Sequence, residues 1–207
     1  MKRRLPTVLI LILAAVLPAA GQGGWYAHLD YGVEWGYTAS FCDIYHYNYT
    51  SPTSGARIDS RDTQFAYKSN GYLSAFVGAR FARVLALDAV AGWAGVYEGR
   101  RVFPLTLRSS VFWSGYECDG WKTFLEGGCC AGKSFAGKPI WMAKMGSGYR
   151  ILLDRYFALD LMFSLQGVHD HPMGIYDKSR GESVPDKNLR RSDCNYLSAN
   201  FSVALCF

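Results

Sequence analysis

From about residue 32 onward the chain alternates apolar and small or polar positions in eight stretches. The last is the most regular. Leu197, Ala199, Phe201, Val203, Leu205 and Phe207 are apolar, and Ser198, Asn200, Ser202, Ala204 and Cys206 between them are small or polar. A period of two is the signature of a strand whose faces meet different environments. The first stretch, about residues 32–45, sets Val33, Trp35, Tyr37, Ala39 and Phe41 against Glu34, Thr38, Ser40 and Cys42. Similar stretches cover about residues 70–80, 84–97, 102–113, 121–132, 140–151 and 156–168. In the last of these Asp160, Ser164 and Gln166 share a parity and not a helical stripe, which predicts a strand. Two polar stretches, residues 47–69 and 169–195, carry Pro and Gly and predict long loops. The connections after the second and sixth strands are tight. This difference between long and short connections matches a barrel with long loops at one end and short turns at the other.

The amino-terminal segment follows another pattern. Met1-Lys2-Arg3-Arg4 is basic, residues 8–17 are continuously apolar, and Pro18-Ala19-Ala20-Gly21 is small. That is the layout of a secretory signal peptide, with residues 1–21 removed and the mature domain, residues 22–207, starting at Gln22. Loss of Lys2, Arg3 and Arg4 lowers the formal charge of +5 by three. The remainder is too small to argue for nucleic acid as a partner.

After this segment there is no apolar run long enough for a membrane helix. Yet the chain is 50% hydrophobic and 15% aromatic, with 22 glycines. An all-β, eight-stranded, antiparallel, up-and-down transmembrane barrel accommodates both facts, because alternate residues face lipid and lumen. Aromatics gather at strand ends as candidate interface girdles. Tyr45, Tyr47, Tyr97, Phe103, Trp141 and Tyr196 fall at one end, and Trp113, Trp121, Tyr149, Tyr156 and Phe207 at the other.

The non-apolar parity carries four acids, Glu34, Asp88, Glu126 and Asp160, and four bases, Arg80, Arg108, Lys144 and Arg150. Eight strands leave an interior just wide enough to be filled by side chains. Charges enclosed there must be paired. The balance predicts an ion-pair network that plugs the lumen; a narrow polar channel lined by the same residues is the alternative.

With its signal segment, its eight amphipathic stretches, Gly148-Tyr149-Arg150 before a tight turn and the closing Phe207, the chain resembles small outer-membrane β-barrels of the OmpA/OmpX kind. It especially resembles the outer-membrane β-barrel proteins of Bacteroidota. The resemblance implies a location in the cell outer membrane, contact with its lipid and lipopolysaccharide, and an assembly signal in Phe201, Val203, Leu205 and Phe207 read by the barrel-assembly machinery. It implies no catalytic motif and no cofactor. A structural or surface-interaction role leads, with residues 47–69 and 169–195 as the surfaces for an extracellular partner. A narrow pore, a lipid-modifying enzyme and a soluble exported binder are the other classes.

Chemistry-bearing residues are few. His169-Asp170-His171 is a dense cluster, and Ser164 or Ser198 is the nucleophile an acyl-transfer enzyme would need beside it. The two histidines with a loop carboxylate form a weak metal pattern. Arg190-Arg191 reads first as part of a solvated loop, with contact to the anionic groups of lipopolysaccharide as the alternative. Of six cysteines, Cys42 and Cys194 lie near one end of the first and last strands, which adjoin in a closed barrel, and are a candidate disulfide, with two small buried thiols as the alternative.

Overall fold

A computed structural model describes residues 29–207 apart from residues 98, 155, 178 and 179. The expected signal peptide and the start at Gln22 lie outside the described residues. The strands are β1 (Leu29–Thr50), β2 (Arg57–Ala82), β3 (Leu85–Tyr97), β4 (Arg100–Phe112), β5 (Gly120–Ala131), β6 (Ile140–Leu152), β7 (Ala158–Asp170), β8 (Ile175–Asp177), β9 (Glu182–Val184) and β10 (Leu189–Cys206). Eight of them close into a barrel in the order β1-β10-β7-β6-β5-β4-β3-β2. Every neighbouring pair is antiparallel, and the ring closes where β1 meets β10, from Gly32 opposite Cys206 to Tyr49 opposite Leu189. Closure leaves no unpaired strand edge around the common girth. β8 and β9 form a separate two-stranded hairpin between β7 and β10.

The alternation translates directly into two surfaces. Trp35, Leu73, Leu107, Leu125, Met145, Phe163 and Phe201 point outward and are exposed. Glu34, Ser74, Arg108, Glu126, Lys144, Asp160 and Ser202 point inward and are buried. Two inward glycines make room for large neighbours. A Cβ on Gly36 would sit 2.5 Å from the Tyr72 ring, and one on Gly32 would sit 2.4 Å from the Phe76 ring. Each aromatic occupies space that a side chain on the opposite glycine of β1 would need, which is how a narrow lumen holds rings of this size.

Outside, an aromatic belt marks the short-turn end. Tyr31 stacks on Phe207 at 5.6 Å, Phe157 meets Phe207 edge-on at 5.5 Å, and Trp121 meets Tyr149 at 5.6 Å. Phe103 and Trp141 are exposed toward the other end. Tyr45, Tyr47 and Tyr196 are not part of that belt as expected: all three are buried inside. The register shifts between Ser40 and Cys42, so the inward parity of β1 changes from even to odd and turns Tyr45, Tyr47 and Tyr49 into the lumen. Tyr196 shares the inward parity of β10. The Tyr97 side chain lies outside the described ones.

The two expected long loops are mostly strand. β1 and β2 continue as a paired hairpin to Thr50 opposite Arg57, and β10 runs beside β1 to Leu189. Residues 47–69 read as loop because outward positions above the apolar belt are polar, so alternation by hydrophobicity disappears while the hydrogen-bonded ladder continues. The turn itself is short. Ser51 N donates to Ala56 O (2.8 Å), Ser51 Oγ accepts from Ser54 N (3.0 Å), and Gly55 takes a left-handed φ of 69°. Residues 169–195 likewise contain the end of β7, the β8–β9 hairpin and the start of β10.

Candidate functional site

The lumen holds the densest polar chemistry of the chain. Its middle is organised around Arg108 on β4. Arg108 Nε donates to Glu126 Oε2 (2.9 Å) on the next strand, and Nη2 donates across the barrel to Glu34 on β1. Glu126 also accepts from Thr106 Oγ1 (2.8 Å) and lies 4.0 Å from Lys144 Nζ. Glu34 Oε1 accepts from Tyr72 Oη at 2.7 Å, the hydroxyl that Gly36 leaves room for. Every charged member of this group is at most 5% exposed. In such surroundings the carboxylates and guanidinium depend on one another for solvation.

A second group sits toward the short-turn end. Arg150 grips Asp160 with Nε and Nη2 (2.7 and 2.8 Å), and Lys122 Nζ pairs with the same carboxylate. Arg150 Nη2 also donates to Cys206 Sγ (3.3 Å), and its guanidinium lies 4.0 Å from the Tyr116 ring centroid. Tyr116 belongs to the connection between β4 and β5, which folds back beneath the barrel: Tyr116 N donates to Arg83 O (2.9 Å). Burial pushes the Tyr116 hydroxyl well above the usual phenol range. Its ring also lies 3.5 Å from the Arg80 guanidinium, and Arg80 forks onto Asp30 (2.8 and 2.7 Å).

Of the eight charges expected to form one network, the structure joins Glu34, Arg108, Glu126 and Lys144 in the first group and Arg150 with Asp160 in the second. Arg80 pairs with Asp30. Asp88 is buried at 8% exposure and forms no ion pair within 4.0 Å among the described residues. It is opposite Arg108 in register, but that guanidinium turns toward Glu34 and Glu126. Sequence reasoning missed Asp30, Lys122, Tyr72 and Tyr116. Lys122 shares the parity of Glu126 and was available to the same test; Tyr116 lies in a turn, where parity is silent.

The other end of the lumen is filled differently. Tyr45, Tyr47, Tyr49, Ile58, Val96, Val102, Ile140, Met142 and Val168 cluster with Ile175 of β8, Val184 of β9 and Leu189 at the start of β10. Tyr45 and Tyr47 stack at 4.6 Å. Tyr49 Oη donates to Asp177 Oδ2 (2.7 Å), and Ser51 Oγ donates to Glu182 Oε1 (2.6 Å). The small hairpin is thereby tied to the tip of β1–β2 as a stopper. At its margin Arg100 holds Asp170 through two bonds of 2.7 and 2.6 Å.

The candidate disulfide does not form, and the alternative of two buried thiols holds. Cys42 and Cys194 are both free and buried. They lie on adjoining strands, but Cys42 is opposite Leu197 and Cys194 opposite Tyr45, a three-residue offset of about 10 Å that no S–S bond spans. The proposed catalytic set is not assembled either. Ser164 and Ser198 are inside the barrel, while His169 bonds Asn195 Oδ1 (2.8 Å) near the outward rim. The donor atoms of His169, His171 and Asp193 lie within 4.8 Å of one another. His171 Nδ1 lies 2.8 Å from Asp193, whose carboxylate also pairs with Arg191 and with Lys138 Nζ at 3.4 Å. Burial alone would raise that carboxyl; its bonds to Arg191 and Lys138 prevail and hold it below the usual range. Two cations beside the carboxylate oppose a third. Phe201 is fully outward, Val203, Leu205 and Phe207 are partly exposed, and Phe207 N donates to Tyr31 O (2.8 Å).

No family model matches the chain. No curated protein matches it either. Among solved structures it is similar to a Pseudomonas aeruginosa FadL homologue at 13% identity and a TM-score of 0.33, over 86% of this chain and 49% of that one. The chain thus spans about half the length of that relative. It is also similar to the secretin InvG of the Salmonella SPI-1 type III secretion injectisome, at 8% identity and a TM-score of 0.28, over 96% of this chain and 68% of that one. A second InvG structure, its secretin-domain β-barrel, gives 10% identity and a TM-score of 0.25, over 96% and 66%.

Proposed function

We propose that the chain is an integral outer-membrane barrel with a closed lumen and a structural or surface-interaction role. The observation that carries this is the inverted polarity. Trp35, Leu125 and Met145 on the outside are 67%, 63% and 60% exposed, while Glu34, Arg108 and Asp160 inside are 0%, 2% and 0% exposed. A water-soluble barrel has the opposite arrangement, since exposing this much contiguous apolar surface to water drives association. A bilayer reverses the cost, because lipid accepts the apolar belt and closure satisfies the backbone. The β1–β2 hairpin and the stopper then face outward, lipid and the assembly machinery being the partners of the outer wall.

Fractionation of cells expressing the full chain, with heated and unheated electrophoresis, tests the location. An outer-membrane product whose mobility changes on heating is expected; a water-soluble product without that change overturns the reading. Planar-bilayer recording tests closure. The paired charges and the apolar stopper are in series, so a silent membrane is expected, and stable unit conductance steps overturn the closed lumen in favour of a narrow pore.

A further inference from the structure

Above the apolar belt, the outward face of β2, β1 and β10 gathers four arginines. Arg57, Arg61, Arg190 and Arg191 line one open concavity of about 630 Å³ together with His46, Asn48 and Asp59. The backbone explains the grouping. Arg191 is opposite Asn48, which is opposite Asp59; His46 is opposite Arg61; and Thr50 is opposite Arg57. The register shift that turns Tyr45, Tyr47 and Tyr49 inward turns the residues between them outward, so one irregularity builds both the stopper and this patch.

The four guanidiniums share the concavity with a single carboxylate. Asp59 already has His46 Nε2 at 2.7 Å and Asn48 Nδ2 at 3.1 Å, bonds that hold its carboxyl below the usual range. Arg191 pairs with Asp193 outside the concavity, and Arg190 has no ion-pair partner among the described residues. Arg61 Nε lies 3.4 Å from Asp59 and donates to His46 Nε2 (3.1 Å), and Arg57 Nε donates to Asn48 Oδ1 (3.3 Å). Four guanidiniums against one carboxylate still leave the concavity with net positive charge. Further down the same outward face, Thr63 and Ile44 follow, and then Phe65, Tyr67 and Leu197, which are 81%, 72% and 39% exposed. Phe65 lies four positions after Arg61, about 13 Å along the strand. A polar row at the level of a headgroup thus stands directly over an apolar row at the level of acyl chains.

We propose that this face binds a lipid whose headgroup carries phosphomonoesters, the arginines forking onto phosphate and the aromatics below contacting its chains. The inference rests on the outer-membrane reading. Lipid is favoured over free phosphate because the patch lies on the lipid-facing side of the wall and not at the lumen mouth. Arginine also matches phosphate bidentately.

The test uses the full chain refolded in detergent and mass spectrometry of intact protein–lipid complexes. The probes are bisphosphorylated lipid A and the same lipid stripped of phosphate, with inorganic phosphate as competitor. The comparison protein carries Arg57→Gln, Arg61→Gln, Arg190→Gln and Arg191→Gln, all at exposed positions. The unaltered protein is expected to prefer the phosphorylated lipid by about tenfold or more. The variant should lose most of that preference while keeping its heat-dependent mobility, and millimolar phosphate should not abolish binding. Equal binding of the two lipids, an unchanged preference in the variant, or full displacement by inorganic phosphate overturns the proposal. If the barrel folds and fractionates with membranes but shows no preference, only this inference fails; if it does not enter membranes, the outer-membrane reading fails with it.

Discussion

The middle of the lumen and its outer end solve the same filling problem with opposite chemistry. In the middle, Arg108 is caught between Glu34 and Glu126, and each group is tolerated only because its partners are present. At the outer end, Ile140, Val96, Val102, Val168 and the tyrosines of β1 pack against the β8–β9 hairpin. Directional pairing makes the first region brittle: removing one partner strands a buried charge. Apolar packing makes the second more forgiving, since the loss scales with the atoms deleted and the space left behind.

The sharpest way to break this contrast is Arg108→Ala. It leaves Glu34 and Glu126 facing each other without their shared cation, and we expect a loss of about 3–5 kcal/mol, read as a shift of the urea unfolding midpoint in micelles. The variant Arg108→Met combined with Glu34→Gln and Glu126→Gln should recover a substantial part of that loss, because no uncompensated charge remains. If the triple variant is as unstable as the single one, shape and not charge pairing governs the middle layer.

Ile140→Ala probes the outer end. Ile140 is 1% exposed and packs in the apolar cluster. Its truncation should cost about 2–3 kcal/mol and Ile140→Val only about 1 kcal/mol. A graded response here beside an abrupt one at Arg108 would sharpen the distinction; equal losses for Ala and Val would erase it. Tyr49→Phe comes next. It keeps the ring but removes the donor to Asp177, with an expected loss of about 1–2 kcal/mol, localised to the stopper and visible as faster amide exchange in β8.

These two regions also differed in how far the sequence disclosed them. Which charges face inward was readable, because Glu34, Arg108, Glu126 and Asp160 occupy the parity opposite the apolar residues. Which charges meet was not. Arg108 is opposite Asp88 in register yet reaches Glu34 on β1, a strand with which β4 does not pair, a choice made by side-chain length and lumen width. The outer end was hidden more thoroughly. One register shift after Ser40 reversed the parity of β1, and polar outward residues such as His46, Asn48, Asp59 and Arg61 made a paired hairpin look like loop. The eightfold alternation survived elsewhere because outward positions around the common girth are apolar, whereas those beyond it on β1 and β2 are polar.

The smallest effect concerns the tie between the β1–β2 turn and β9. Glu182 accepts from Ser51 Oγ (2.6 Å) and from Thr53 N (3.1 Å), and these bonds hold its carboxyl below the usual range. Because the folded value is depressed, the tie contributes fully above the unfolded carboxyl value of about 4.3 and is lost as pH falls through the folded value. Hydrogen exchange at the Thr53 amide, corrected for intrinsic rate, should therefore be flat from pH 7 to 5 and accelerate only in stronger acid. Ser51→Ala removes the main bond that depresses the carboxyl, so the acceleration should begin at higher pH, while exchange in the Arg108 layer stays unchanged. If the Thr53 amide responds between pH 7 and 5, or if Ser51→Ala leaves its profile unmoved, the stopper is not held to the hairpin through Glu182, and apolar contact alone seats it.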